Sequence, residues 1–233
     1  MKLAINIQHV PGRERWAETM RYMLADRRVT IQTDDKRDLW EGCKKVLTNR
    51  PKGTTHVLVL QDDILPCRDF ISTVERIINL LPGEVITYFS TRQTIGHPLN
   101  LGLHYLKLKT WRMAQAYSAP VEVIDDFIAW ADRHIKPEIY FDDDRWAMYC
   151  FYNNRWVWAT APSLVEHLGW NQTTLGGGYK PQFRLDLRKK ASQRMAEAFV
   201  GYENSPKDIE WENLKAIEDN EGTYAEFIHN YIK

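Results

Sequence analysis

"HVLVLQDDILPCRDF", residues 56–70, decides how the chain is read. Four consecutive apolar residues, Val57, Leu58, Val59 and Leu60, describe a strand buried on both faces. The run ends in two adjacent carboxylates, Asp62 and Asp63, and then meets Pro66. Upstream, "KLAINI" (2–7) reads as a strand, Glu14 to Leu24 as a helix, and "RVTIQTDD" (28–35) as a second strand that also ends in acids. Leu39, Cys43, Val46 and Leu47 share one helical face before the turn "NRPKGT" (49–54). Downstream, Phe70, Val74, Ile77, Ile78 and Leu81 do the same before "PG" and the strand "EVITYFS" (84–90). This alternation predicts an α/β fold, a mostly parallel central sheet flanked by helices. Ligands of such sheets collect at the carboxyl ends of the strands. Asp34, Asp35, Asp62 and Asp63 all fall there.

Beyond Phe89 the pattern loosens. Short β-prone pieces, Tyr105 to Leu108 and Ala114 to Ser118, are interleaved with glycine and histidine, which predicts a hairpin or flap near the site. "PVEVIDDFIAWADRH" (120–134) is an amphipathic helix begun by proline, and "YFDDDRWAMYCFYNN" (140–154) an acidic cap followed by an aromatic-rich helix. "RWVWATAPSLVEHLGW" (155–170) reads as a strand running into a turn. "LGGGYKP" (175–181) is a flexible break that divides a domain over residues 1–178 from a C-terminal extension over 179–233. The extension is first basic (Arg184, Arg188, Lys189, Lys190, Arg194) and then helical around Tyr224 to Tyr231.

Lys plus Arg and Asp plus Glu both number 31, so no global field recruits nucleic acid or membrane, although local patches still can. The three cysteines, Cys43, Cys67 and Cys150, are odd in number and widely spaced, which suits free thiols in a reducing cytoplasm. No apolar stretch approaches the roughly 20 residues that span a bilayer, and the first residues lack the apolar segment of a signal peptide. The expectation is a soluble, cytoplasmic protein without a membrane partner.

Three constellations carry chemistry. The carboxylates of Asp62 and Asp63 repel, and a divalent cation such as Mg²⁺ or Mn²⁺ relieves that repulsion while bridging phosphate oxygens; the plain alternative is a solvated turn that caps the next helix. Asp142, Asp143 and Asp144 precede a helix, where acids ordinarily cap and compensate the dipole, yet one of them can serve as a general base. Glu166 and His167 follow a strand, and a lone histidine there is ordinarily no ligand.

The order of the pieces adds more. "INIQHVPGRERW" (5–16), "TIQTDD" (30–35), Trp40 with "GCKK" (42–45), "VLVLQDD" (57–63), the "DDD" helix start and "APSLVEHLG" (161–169) together resemble glycosyltransferases of the GT-A fold, in particular small bacterial and phage-borne members. The resemblance spans about residues 1 to 175. It implies a transferase that uses a nucleotide-sugar donor, expected to be a UDP-sugar, and Mn²⁺ or Mg²⁺. "QDD" then stands at the family's metal motif, with Gln61 at its first position, Asp63 as metal ligand, His167 completing the metal site, and Asp62 touching ribose or sugar. Pro11, Arg13 and Asp34 would border the donor base and ribose, and Lys44 or Lys45 would face the nucleotide.

An inverting transfer needs a carboxylate to take the acceptor's proton; Asp143 is expected to be that base, with Asp142 as the structural cap. Trp156, Trp158 and Trp170 offer an acceptor platform or, equally, ordinary packing. The expected acceptor is a hydroxymethylated pyrimidine in double-stranded phage DNA, with the basic segment on its phosphates; a glycan, lipid or protein acceptor is the alternative. Two further classes compete: a metal-dependent phosphohydrolase or nuclease built on the same acids, and a silent nucleotide-binding protein.

Overall fold

The computed structural model describes residues 1–167 and 199–219, apart from 37, 91, 112, 113, 140 and 202. Its elements are β1 (Leu3–His9), α1 (Glu14–Leu24), β2 (Val29–Thr33), α2 (Leu39–Thr48), β3 (His56–Gln61), β4 (Ile64–Pro66), α3 (Phe70–Leu80), β5 (Val85–Thr87), α4 (Arg92–Asn100), β6 (Tyr105–Leu108), β7 (Ala116–Pro120), α5 (Val121–His134), α6 (Asp142–Tyr152), β8 (Val157–Thr160), β9 (Val165–His167) and β10 (Ala216–Asp219). Eight strands form one sheet in the order β10-β6-β8-β5-β7-β3-β1-β2. From the pairings, β1, β2, β3, β5 and β8 run one way and β6, β7 and β10 the other, so the sheet is mostly parallel, as expected.

Period-two alternation divides the core into two layers. On β3, Leu58 and Leu60 face the layer that holds Met20 of α1 and Val74 and Ile77 of α3. Val57 and Val59 face the opposite layer, with Trp40 and Leu47 of α2, Phe127 of α5 and Trp146 of α6. Burial on both faces is why the apolar run has no polar residue inside it. In the second layer the Phe127 and Trp146 rings stack with centroids 3.7 Å apart.

The expected hairpin after Phe89 does not form. β7 lies between β3 and β5, and β6 pairs instead with β8 and β10. Every residue of β7 is buried: Tyr117 fills the layer of Trp111 and Trp146, and the small residues around it let this central strand sit between two layers. Residues 199–219 are stitched to this body, whereas the expected break at 175–181 lies outside the described residues. Trp211 is fully buried, the Tyr105 hydroxyl donates to its carbonyl at 2.9 Å, Lys207 pairs with Asp69 at 3.0 Å, and β10 extends the sheet beside β6. The basic run from Arg184 to Arg194, Trp170 and the expected terminal helix lie outside the described residues.

Candidate functional site

The carboxyl end of β3 is held in register with its neighbours one residue past the strand. The Asp62 amide donates to the Gln8 carbonyl at 3.0 Å, and the Asp34 amide to the His9 carbonyl at 2.8 Å. The ends of β1, β2 and β3 are thereby level. From this layer rises a pocket of about 180 Å³ lined by residues that include Gln8, Arg13, Asp62, Asp63, Asp142 and His167.

Asp62 organises the β1–α1 loop. Its Oδ2 lies 2.9 Å from His9 Nδ1 and accepts from the Val10 amide at 3.1 Å, while its Oδ1 accepts from Arg13 Nη1 at 3.0 Å. The same guanidinium nitrogen donates to Asp63 Oδ2 at 2.8 Å. Two adjacent buried carboxylates are thus bridged by one arginine, whose single charge offsets one of theirs and which is itself 9% exposed. The loop reaches that position through Gly12 at φ +97°, a conformation that a side chain would strain.

A second, two-stranded sheet brings His167 to the same place. β4 and β9 pair antiparallel with Ile64 opposite His167, which sets His167 Nε2 3.3 Å from Asp63 Oδ2. Burial alone would push the Asp63 carboxyl up; the hydrogen bond and charge of His167, with those of Arg13, outweigh it and hold the group below its usual range. Its other oxygen, Oδ1, is buried with no hydrogen-bond partner. A carboxylate oxygen beside an imidazole nitrogen suits Mn²⁺ or Mg²⁺. Among the described residues no group of three or more His, Cys, Asp and Glu side chains is arranged to hold an ion. The protein would therefore supply Asp63 and His167, and water and substrate oxygens the rest, as Mg²⁺ sites commonly do. Bound there, the ion would act as a Lewis acid on phosphate oxygens.

The opposite wall is the start of α6. The N-cap position is Phe141, so Asp142 is the first helical residue and not the cap. Its Oδ1 accepts from the Asp143 amide at 3.0 Å, and Asp143 Oδ1 from the Asp144 amide at 2.9 Å. Burial pushes the Asp142 carboxyl up to about 6 against the pull of the first-turn amides, with the Asp144 charge adding to the rise. Asp142 Oδ2 is buried without a hydrogen-bond partner, whereas Asp143 is half-buried and lines the pocket.

Of the residues singled out from sequence, Arg13, Asp62, Asp63, Asp142, Asp143 and His167 converge on this pocket, and Pro11, Asp34 and Lys44 are not among its lining residues. Asp34 is buried behind it, where Oδ1 accepts from the Asp38 amide at 3.2 Å and helps fix the start of α2. Lys44 reaches from α2 toward α5, 2.6 Å from Glu41 and 3.6 Å from Asp132. Lys45 donates to the Thr33 carbonyl at 2.9 Å. Trp158 belongs to the core, edge-on to Tyr105, and Trp156 precedes β8 at the end of the sheet away from the pocket. The packing reading therefore holds for Trp158. His9 and Gln115 were not singled out as site residues. His9 stands directly before the "VPGR" loop, a signal available in the sequence, while Gln115 shows only once β7 is placed beside β3.

No family model matches the chain, and no curated protein does. Among solved structures, the crystal structure of A197 from STIV is similar with a TM-score of 0.44 and 12% identity, over 72% of this chain and 85% of that one.

Proposed function

We propose that the protein is a metal-dependent glycosyltransferase that uses a nucleotide-sugar donor. The observation that carries the reading is the meeting of Asp63, in the turn after β3, with His167 of β9, distant in sequence, at the carboxyl end of a mostly parallel sheet. The sequence motifs that resemble GT-A enzymes supply the donor class, with a UDP-sugar as its member and Mn²⁺ or Mg²⁺ on Asp63 and His167. Within the pocket, Arg13 binds anionic donor groups, and Asp62 holds the loop that carries Arg13. Asp143, half-exposed across the pocket, takes the proton of the acceptor hydroxyl in an inverting transfer. Asp142 lines the same pocket, but its Oδ2 is buried.

The acceptor in this reading is a 5-hydroxymethylpyrimidine in double-stranded DNA, motivated by the basic run from Arg184 to Arg194. The test is incubation of the protein with Mn²⁺, a panel of nucleotide sugars, and hydroxymethylated or plain DNA, followed by mass spectrometry of the nucleosides. The reading expects donor consumption that requires the metal and a hexose or pentose mass added to hydroxymethylated bases. Sugar on a glycan or lipid but not on DNA overturns the acceptor. Cleavage of DNA or free nucleotide with no dependence on a sugar donor overturns the transferase in favour of a phosphohydrolase.

A further inference from the structure

Arg13 occupies the position that a metal at Asp63 would contest. Its Nη1 lies 2.8 Å from Asp63 Oδ2 and 3.0 Å from Asp62 Oδ1, and Asp63 Oδ2 is also the oxygen that faces His167. A divalent ion held by Asp63 and His167 would stand against a guanidinium in a site with little water to screen the repulsion. Arg13 is 9% exposed, so once displaced it still needs an anion, because an unpaired buried charge is strongly unfavourable. Its backbone permits such a move. Arg13 is the N-cap residue of α1: its carbonyl accepts from the Trp16 and Ala17 amides and stays in place, while its side chain leaves the helix end beside Gly12, around whose missing Cβ there is open space.

We propose that Arg13 is an exchangeable counter-ion, which bridges Asp62 and Asp63 while the donor is absent and transfers to the diphosphate of the incoming nucleotide as the metal takes Asp63. The inference rests on the donor reading above. It makes metal and diphosphate mutually dependent: each removes the obstacle to the other, and by linkage each tightens the other by the same factor. The site stays closed to a stray divalent ion until an anionic substrate arrives to receive the arginine.

The test combines titration calorimetry of Mn²⁺, with and without UDP, on the wild type, Arg13→Gln and Arg15→Gln with a crystal structure of the wild type bound to Mn²⁺ and UDP. Arg15 is exposed on α1 and controls for the loss of one positive charge nearby. Arg13→Gln should bind Mn²⁺ alone at least tenfold more tightly than the wild type, bind UDP without metal more weakly, and show a smaller gain from the two together. Arg15→Gln should follow the wild type. In the complex, Arg13 should have left Asp63 for a phosphate oxygen. Arg13→Gln with unchanged or weaker affinity for Mn²⁺ alone overturns the proposal, as does an equal rise in Arg15→Gln, or a complex in which Arg13 still bridges both carboxylates beside the metal. Should Arg13→Gln fail to fold, the wild-type complex decides by itself. A wild type that binds no Mn²⁺ even with UDP overturns the donor reading and this inference together, whereas joint binding with Arg13 unmoved overturns this inference alone.

Discussion

Two acidic clusters face each other across one pocket, and their protonation is driven in opposite directions. At the end of β3, Asp63 is buried yet held below its usual range, because His167 and Arg13 reach it. At the start of α6, Asp142 is just as inaccessible, but there burial outweighs the first-turn amides and the Cys43 thiol, the Asp144 charge adds to the rise, and the carboxyl goes up to about 6. Burial raises both, so the neighbouring positive charge decides the sign. A pocket with one wall of acids braced by Arg13 and His167 and another whose buried carboxyl holds its proton more readily than an ordinary aspartate separates the tasks of charge binding and proton handling.

The largest effect on folding should come from breaking the charged wall. Asp62→Ala leaves the His9 ring, the Val10 amide and part of the Arg13 guanidinium without their acceptor. Removal of one partner from a buried ion pair costs about 3–5 kcal/mol, and urea denaturation at pH 7 should show a loss of that order. A loss below about 1 kcal/mol, the level of an exposed pair, would mean that water fills the gap and that this wall is far less closed than its geometry indicates.

The other wall should respond with the opposite sign. Because the folded-state pKa of Asp142 lies above its unfolded value, its contribution to stability is fully present below about 4 and is lost as pH rises through about 6. Asp142→Asn removes the penalty, so the variant should be more stable than the wild type at pH 8 by about 1–3 kcal/mol, and the difference should shrink toward zero as pH falls to 4. For Asp63 the linkage is reversed: its depressed pKa supplies stability above the usual carboxylate range, which fades as pH falls through the folded value. Parallel denaturation series at pH 4, 6 and 8 for Asp142→Asn and Asp63→Asn should therefore diverge. Curves that run together would remove the contrast between the walls.

How much of this was legible depends on which residues carried the pattern. β1 to β3 and α1 to α3 could be read because each buries a run or a stripe long enough to impose a period on the sequence. β7 could not, since "AYSAP" carries a single bulky apolar residue, Tyr117, among small ones and shows no period, and its burial comes from the layers around it. The pairing of β4 with β9 is set by three residues on each side, one of them proline, which leaves no local signal. Yet that pairing brings His167 to Asp63. Resemblance named both residues but gave no distance, and it also named Asp34 and Lys44, whose side chains are turned toward the start of α2 and toward Asp132. The Asp-Asp-Asp run showed that acids begin a helix, while the boundary that makes Asp142 the first helical residue fell within the uncertainty of any helix end.

The smallest effect on folding should come from Asp143, and there the contrast between the walls becomes sharpest. Asp143 is half-buried, sits one residue from Asp142, and lines the same pocket. Its Oδ1 accepts from the Asp144 amide, a bond that the Asn carbonyl can retain. Asp143→Asn should therefore change stability by no more than about 0.5 kcal/mol, as surface substitutions do. If Asp143 is the proton acceptor, the same change should slow transfer by about 10²- to 10⁴-fold and leave the binding of Mn²⁺ and UDP as in the wild type. Asp142→Asn, which removes a charge whose Oδ2 is buried, should retain measurable transfer while it alters the pH course of stability. Should transfer instead collapse in Asp142→Asn and persist in Asp143→Asn, the proton goes to the buried carboxyl. The pocket must then open at α6 during turnover, and the acid nearest neutrality is the one the reaction uses.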